Sequence, residues 1–324
     1  MHIGVLVAVM GVLALPTAEA VAQSFKPTRP VELVVHTGPG GGSDVFARIV
    51  NNIFDQERLL PVRANVANRS GGGGTVAMSY LAEKKGNPHV IAFYTSVWLT
   101  APLTAKEARV QFTELTPIAN LIFDPSLIIV RSDSPYKTMN EFVEAAKKSP
   151  GQLLQAGSSV QAIGNLIRQV IQKQSGATWT YVPMPGGSER ITAILGGHAQ
   201  LLIADPSEVK EQVQSRTMRV IAQMAERRLP AHPDVPTLQE AGFKMPNIRT
   251  VRGVVAPPGL TKDEVAYWES VFERLVKTDS WRKYLSESQS EDGYVTGEQL
   301  LRLAEESLAA RREVFRDVGI KIVR

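Results

Sequence analysis

The chain has 324 residues, 44% hydrophobic and 21% charged with both signs mixed along it, which sets aside disorder and fits a globular protein of about two domains. The formal charge of +4 is scattered and aromatics are only 6%, so there is neither a basic block nor a stacking platform for nucleic acid. Cysteine is absent, which removes disulfides, thiol chemistry and cysteine metal sites.

Residues 3–15 are almost wholly apolar and lead through small residues to Ala20-Val21-Ala22. That pattern predicts a secretory signal peptide over 1–22 with an A-x-A cleavage site, the apolar run being shorter than the ~20 residues a membrane span requires. A chain so exported is expected in the periplasm.

From residue 31 the chain reads as alternating strands and helices. "VELVV" at 31–35 is a β-rich run, and after "HTGPGGGSD" the apolar residues Val45, Phe46, Ile49, Val50, Ile53 and Phe54 share one helical face. A strand near 62–66, a glycine loop at 71–74, a helix at 75–84 and a strand at 89–95 repeat the unit. Next come a strand at 126–130 and a helix at 138–148 ended by "SPG", then a helix at 163–174 and a strand at 178–183. A helix at 188–195, a strand at 200–204, a helix at 206–214 and a strand at 218–223 complete the series. Such alternation predicts α/β layers on largely parallel sheets. Beyond 260 the pattern is helical, with capping boxes expected at Thr261/Glu264 and Thr296/Gln299.

The glycine loops invite a nucleotide reading, but no lysine follows them as a P-loop requires, and the GxGxxA match at 72–77 has no acid at the end of the next strand. A secreted hydrolase using Ser43 or Ser188 is an alternative, yet neither serine sits in GxSxG, since Val45 and Arg190 stand where the closing glycine belongs. The five histidines are dispersed and each reads as structural, and no metal or cofactor is expected. Asp44 reads as a cap for the helix beside it. What remains is binding without reaction: glycine loops before helix starts present backbone N–H groups to an anion, each helix end contributing about 0.3–1 kcal/mol.

The segments "RPVELVVHTGPGGGSDVFARIV", "VANRSGGGGTVAMSYLA", "LTPIANLI", "VPMPGGSERITAILGGHAQLLIAD", "HPDVPTLQEAGF" and "RGVVAPPGLTKDEVAYWESVFERLVKT" occur in one order along the mature chain. In that order and spacing the sequence resembles the Bug/TctC family, the extracytoplasmic solute receptors of tripartite tricarboxylate transporters. The resemblance implies a type II periplasmic-binding-protein fold, with two α/β lobes and a ligand cleft between them. It implies one lobe from 25–123 plus 249–324 and the other from 124–248. It further implies capture of an organic carboxylate (tricarboxylate, dicarboxylate or aromatic acid) by a monomer serving two membrane subunits; a receptor presenting its ligand to a sensor protein is the alternative role.

The ligand-binding residues implied in the first lobe are Thr37, Gly40, Gly41, Gly42, Ser43 and Asp44, with Thr95 and Ser96. In the second lobe they are Ser158, Ser159, Ala162, Asn165, Met184, Gly186 and Asp205. Ala162 and Asn165 depart from the family's usual hydroxyl and histidine, and Asp205 stands one position along from its usual acid.

Overall fold

The computed structural model describes residues 25–246 and 248–323. The expected signal peptide lies outside the described residues. Among them the chain runs β1 (Val31–Val35), α1 (Gly42–Gln56), β2 (Ala64–Asn68), α2 (Thr75–Glu83), β3 (Val90–Thr95), α3 (Val97–Thr104) and β4 (Thr116–Asp124). It continues as β5 (Ser126–Arg131), α4 (Met139–Lys148), β6 (Leu154–Gly157), α5 (Ile163–Ser175), β7 (Thr180–Pro183), α6 (Gly187–Leu195), β8 (Leu201–Ala204), α7 (Pro206–Gln214) and β9 (Met218–Met224). It closes with β10 (Thr250–Ala256), α8 (Lys262–Val276), α9 (Asp279–Ser288), β11 (Glu291–Val295) and α10 (Gly297–Val318).

These elements build two α/β lobes. The first carries a six-stranded sheet in the order β11-β4-β10-β3-β1-β2, the second a five-stranded sheet in the order β7-β6-β8-β5-β9. Strand periodicity sorts the side chains. In β1, Val31, Leu33 and Val35 enter one core and Val34 the core on the opposite face. In β5, Ile128 and Val130 face one layer while Leu127 and Ile129 face the other. Sheets covered on both faces read as unbroken apolar runs, which is why "VIAFYT" is buried throughout.

The expectation of largely parallel sheets needs correction. The β1–β2, β1–β3, β6–β7 and β6–β8 pairs are parallel, but β10 runs antiparallel to β3 and β4, β11 to β4, and β5 to β8 and β9. Parallel pairing follows βαβ crossovers. The chain instead leaves the first sheet through the single residue Pro125 between β4 and β5, and returns from the second sheet into β10. An element entering from the other lobe is not bound by the crossover rule.

A second correction concerns the start of α10. Thr261 makes its capping box with Glu264, whereas Thr296 makes no side-chain cap hydrogen bond. Gly297 follows it at φ +52°, turning the chain away from the geometry a capping box needs. Leu103 of α3, Leu166 and Val170 of α5, Ile248, and Val314 and Phe315 of α10 form one apolar cluster that spans the two lobes.

Candidate functional site

A cavity of about 410 Å³ lies between the lobes. The end of β1, the first turn of α1, the Gly71–Thr75 loop, the end of β3 and the start of β10 line it from the first lobe. The 158–164 segment, Pro183, Pro185, Arg190 and the 203–208 segment line it from the second.

The first glycine loop is folded on itself. Gly40 takes φ +72°, and its N–H donates to Asp44 Oδ2 at 2.9 Å. Asn68 Nδ2 donates to Asp44 Oδ1 at 2.9 Å and to the Thr37 carbonyl at 2.8 Å, while the Asp44 N–H donates to Thr37 Oγ1 at 3.2 Å. Burial alone would raise the Asp44 carboxyl, but the hydrogen bonds from Arg48, Asn68 and Gly40 outweigh it and hold the group below the usual carboxylate range. Asp44 therefore clamps the loop from the third position of α1. The N-cap is Gly41, which has no side chain to satisfy the first N–H groups.

That loop meets the second lobe directly. The Gly38 N–H donates to the Pro185 carbonyl at 3.3 Å. A β-carbon on Gly187 would fall on the Gly40 carbonyl, and one on Gly40 would stand 2.8 Å from Ser188 Oγ. Further along the rim Thr100 Oγ1 donates to the Gln161 carbonyl at 3.1 Å. The lobes are thus closed on each other, with glycines where the backbones approach most closely.

Charge in the cleft is concentrated in five buried side chains. Arg252 of β10 donates through Nε to Asp124 and through Nη2 to Asp205, reaching across the cleft to the second lobe. Arg190 pairs with Glu208 and donates from Nη1 to the carbonyls of Met184 at 2.7 Å and Pro185 at 3.3 Å, fixing the turn that meets Gly38. With three acids around two arginines, burial pushes the Asp205 carboxyl up to about 7; Arg252 opposes the rise, and Asp124 and Glu208 add to it. Burial would lower the Arg252 guanidinium, but Asp205 and Asp124 hold it above its ordinary value. Asp205 is the N-cap of α7, yet its side chain makes no capping hydrogen bond.

His36 follows β1 and lines the cavity. Trp98 Nε1 donates to its Nδ1 at 3.0 Å, so the ring carries its hydrogen on Nε2, 3.4 Å from Thr95 Oγ1. Burial first and Arg252 second push its pKa down to about 3. Ser43 Oγ lies 3.4 Å from the same Nδ1, but a base that weak does not take a proton from serine near neutrality. The hydrolase alternative finds no general base in this contact.

Of the residues expected from sequence, Thr37, Gly42, Ser43, Thr95, Ser96, Ser158, Ser159, Ala162 and Asp205 line the cavity. Gly40, Gly41, Asp44, Asn165, Met184 and Gly186 stand behind that lining. Asn165 Nδ2 donates to the Val160 carbonyl at 2.7 Å and its Oδ1 accepts from Arg168 Nε at 2.9 Å, so its amide braces the 158–162 loop. The Met184 N–H donates to the Gly157 carbonyl at 2.6 Å, and Gly186 is the N-cap of α6. Ser96 Oγ donates to the Arg249 carbonyl at 3.1 Å and accepts from the Val251 N–H at 3.0 Å, fastening β10 to the end of β3. His36, Arg190, Glu208, Thr250 and Arg252 also line the cavity and were not among the ligand-binding residues expected from sequence. His36 carried a signal, standing directly between a strand and the glycine loop.

Among the helix starts at the cavity whose N-cap residues give no side-chain cap are α1, through Gly42 and Ser43, and, from the opposite lobe, α5, through Ala162, Ile163 and Gly164. Each presents backbone N–H groups and the positive end of a helix dipole.

The family profile TctC, described as tripartite tricarboxylate transporter family receptor, matches residues 48–320. A protein of Cupriavidus necator named UPF0065 protein in gbd 5'region is 26% identical over 97% of this chain and 94% of its own length. The solved periplasmic binding protein BugD superposes with a TM-score of 0.85 at 22% identity, covering 91% of this chain and 99% of its own. The R. palustris protein Rpa4515, solved with adipate, gives 0.85 at 24% identity with the same coverage. These two structures share the fold of this chain.

Proposed function

The chain belongs to the tripartite tricarboxylate transporter receptor family, and from that premise we propose that it captures an organic carboxylate in the periplasm and passes it to the two membrane subunits of such a transporter. Residues 1–22 serve as its export signal. One lobe comprises 25–123 plus 249–324 and the other 124–248, and the protein acts as a monomer.

The observation that carries this reading is that the starts of α1 and α5, neither capped by its own N-cap side chain, face one cavity from opposite lobes. Two positive helix ends across a cleft suit a ligand with two acid groups, and a di- or tricarboxylate meets that demand better than a monoacid. Adipate, held by one solved neighbour, is a ligand of this class.

A melting screen tests the proposal. A ligand that binds only the folded form adds about 2.7 kcal/mol at a hundredfold excess over Kd, or roughly 5–10 °C in Tm for a chain of this size. Di- or tricarboxylates, or aromatic acids, are expected to give that shift, and the matching amides and esters none. Equal shifts from acid and ester, or hits confined to sugars or nucleotides, would overturn the carboxylate reading.

A further inference from the structure

A carboxylate of the protein itself lies beside the start of α1. Gly42, the first residue of α1, has Asp205 Oδ2 only 2.5 Å from where its β-carbon would stand, with Arg252 Nη2 at 2.7 Å. Asp205 belongs to the opposite lobe. Its carboxylate has crossed the cleft to the helix start and the guanidinium that line the first-lobe wall. In doing so it leaves its own helix uncapped, although aspartate is among the best N-cap residues and Pro206 follows at the first helical position. Arg252 keeps its second partner, Asp124, whichever way Asp205 turns.

We propose that Asp205 is a built-in occupant of the ligand's carboxylate position, which an arriving carboxylate displaces to take Arg252 and the first turn of α1. This rests on the carboxylate reading above and assigns the receiving cation. In the liganded state Asp205 turns back to accept the backbone N–H groups at the start of α7, so the exchange leaves neither arginine nor helix unpartnered. The cross-cleft pair also joins the lobes when no ligand is present. The ligand-free molecule is therefore held shut, and affinity is reduced by the fraction of molecules in which the position is vacant.

Substituting Asp205→Asn removes the charge and keeps a capping side chain. Asp205→Ser, also a good N-cap, serves as a second variant should the first fold poorly. Titration calorimetry with adipate and with citrate is expected to give binding about tenfold tighter in either variant than in the unsubstituted protein, as when the vacant form is about a tenth of the population. Small-angle scattering without ligand is expected to give a larger radius of gyration for the variants, which returns to the unsubstituted value on saturation with adipate or citrate. Unchanged or weaker binding in the variants overturns the proposal, as does an unchanged ligand-free radius. If neither probe binds any of the three proteins, the carboxylate reading fails for those probes, and the ligand-free radius alone decides whether Asp205 holds the lobes together.

Discussion

Substituting Gly187→Ala should block closure while sparing the fold. Gly187 is the first residue of α6, where alanine is no worse than glycine for the helix. Across the cleft, however, the added methyl would fall on the Gly40 carbonyl and stand 2.7 Å from the Gly41 nitrogen. Both are backbone, and the Gly40 turn is tied by the Asp44 hydrogen bond, so no side chain can rotate to make room. The loops must part by on the order of 1 Å, which forfeits the Gly38–Pro185 hydrogen bond, about 0.5–1.5 kcal/mol, together with the packing around it. Because the ligand-free molecule is itself shut about nine times in ten, a closed state disfavoured by about 2–3 kcal/mol lowers apparent affinity by about 4- to 15-fold. Calorimetry with adipate and citrate, run beside thermal unfolding, reads both quantities. Affinity within about twofold of the unsubstituted protein, with Tm unchanged, would refute the reasoning that binding requires this approach of the two loops.

Acid–base behaviour offers a further check. Asp205 titrates near 7 against an ordinary 3.8, so its stabilising contribution is complete below about pH 4 and is lost as pH rises through about 7; His36, near 3 against 6.5, contributes above 6.5 and loses that contribution as pH falls toward 3. Between these limits the two oppose, each by up to about 1.4 kcal/mol per pH unit. Asp205→Asn should therefore lose roughly 2 kcal/mol on going from pH 6.5 to 5, and His36→Gln should gain stability over the same range; flat denaturation profiles in both variants would contradict the assignment. Trp98→Phe removes the donor to His36 Nδ1 and should raise the pH at which the His36 ring titrates by NMR, an unmoved titration showing that the indole does not set the tautomer. Asn165→Ala should cost about 1–2 kcal/mol of stability through the Val160 and Arg168 contacts and change carboxylate affinity less than about threefold. A loss beyond about thirtyfold with Tm intact would place Asn165 on the ligand instead.

The alternation of strands and helices was legible wherever a local period carried it. Helices α4 to α7 and strands β5, β8 and β9 fall within about two residues of their expected ranges, because each is an amphipathic or apolar run with a clear boundary. Strand β10 was not read as a strand, since "TVRGVVA" places an arginine and a glycine in its middle. Both have tertiary reasons: Gly253 admits the Ala119 carbonyl and the Tyr94 ring, and Arg252 meets acids from two distant segments. The same limit applies to the site. Glycine loops announce close approach in sequence, but nothing near Asp205 says that its carboxylate turns outward, or that Asn165 is spent on its own loop. Those outcomes are decided by neighbours more than twenty residues away or by competition between equally short hydrogen bonds.

The apolar cluster that joins α3, α5 and α10 has a consequence for how affinity can drift. It joins the lobes through residues that take no part in the Gly40–Gly187 contact, so a small shift of packing at Phe315 or Val170 changes how the lobes meet while leaving those loops as they are. Methyl-sized changes within the cluster would retune the equilibrium between open and shut without touching any group that meets the ligand. Selection can therefore adjust how avidly such a receptor scavenges its solute by editing its heel, and leave what it recognises to the cleft.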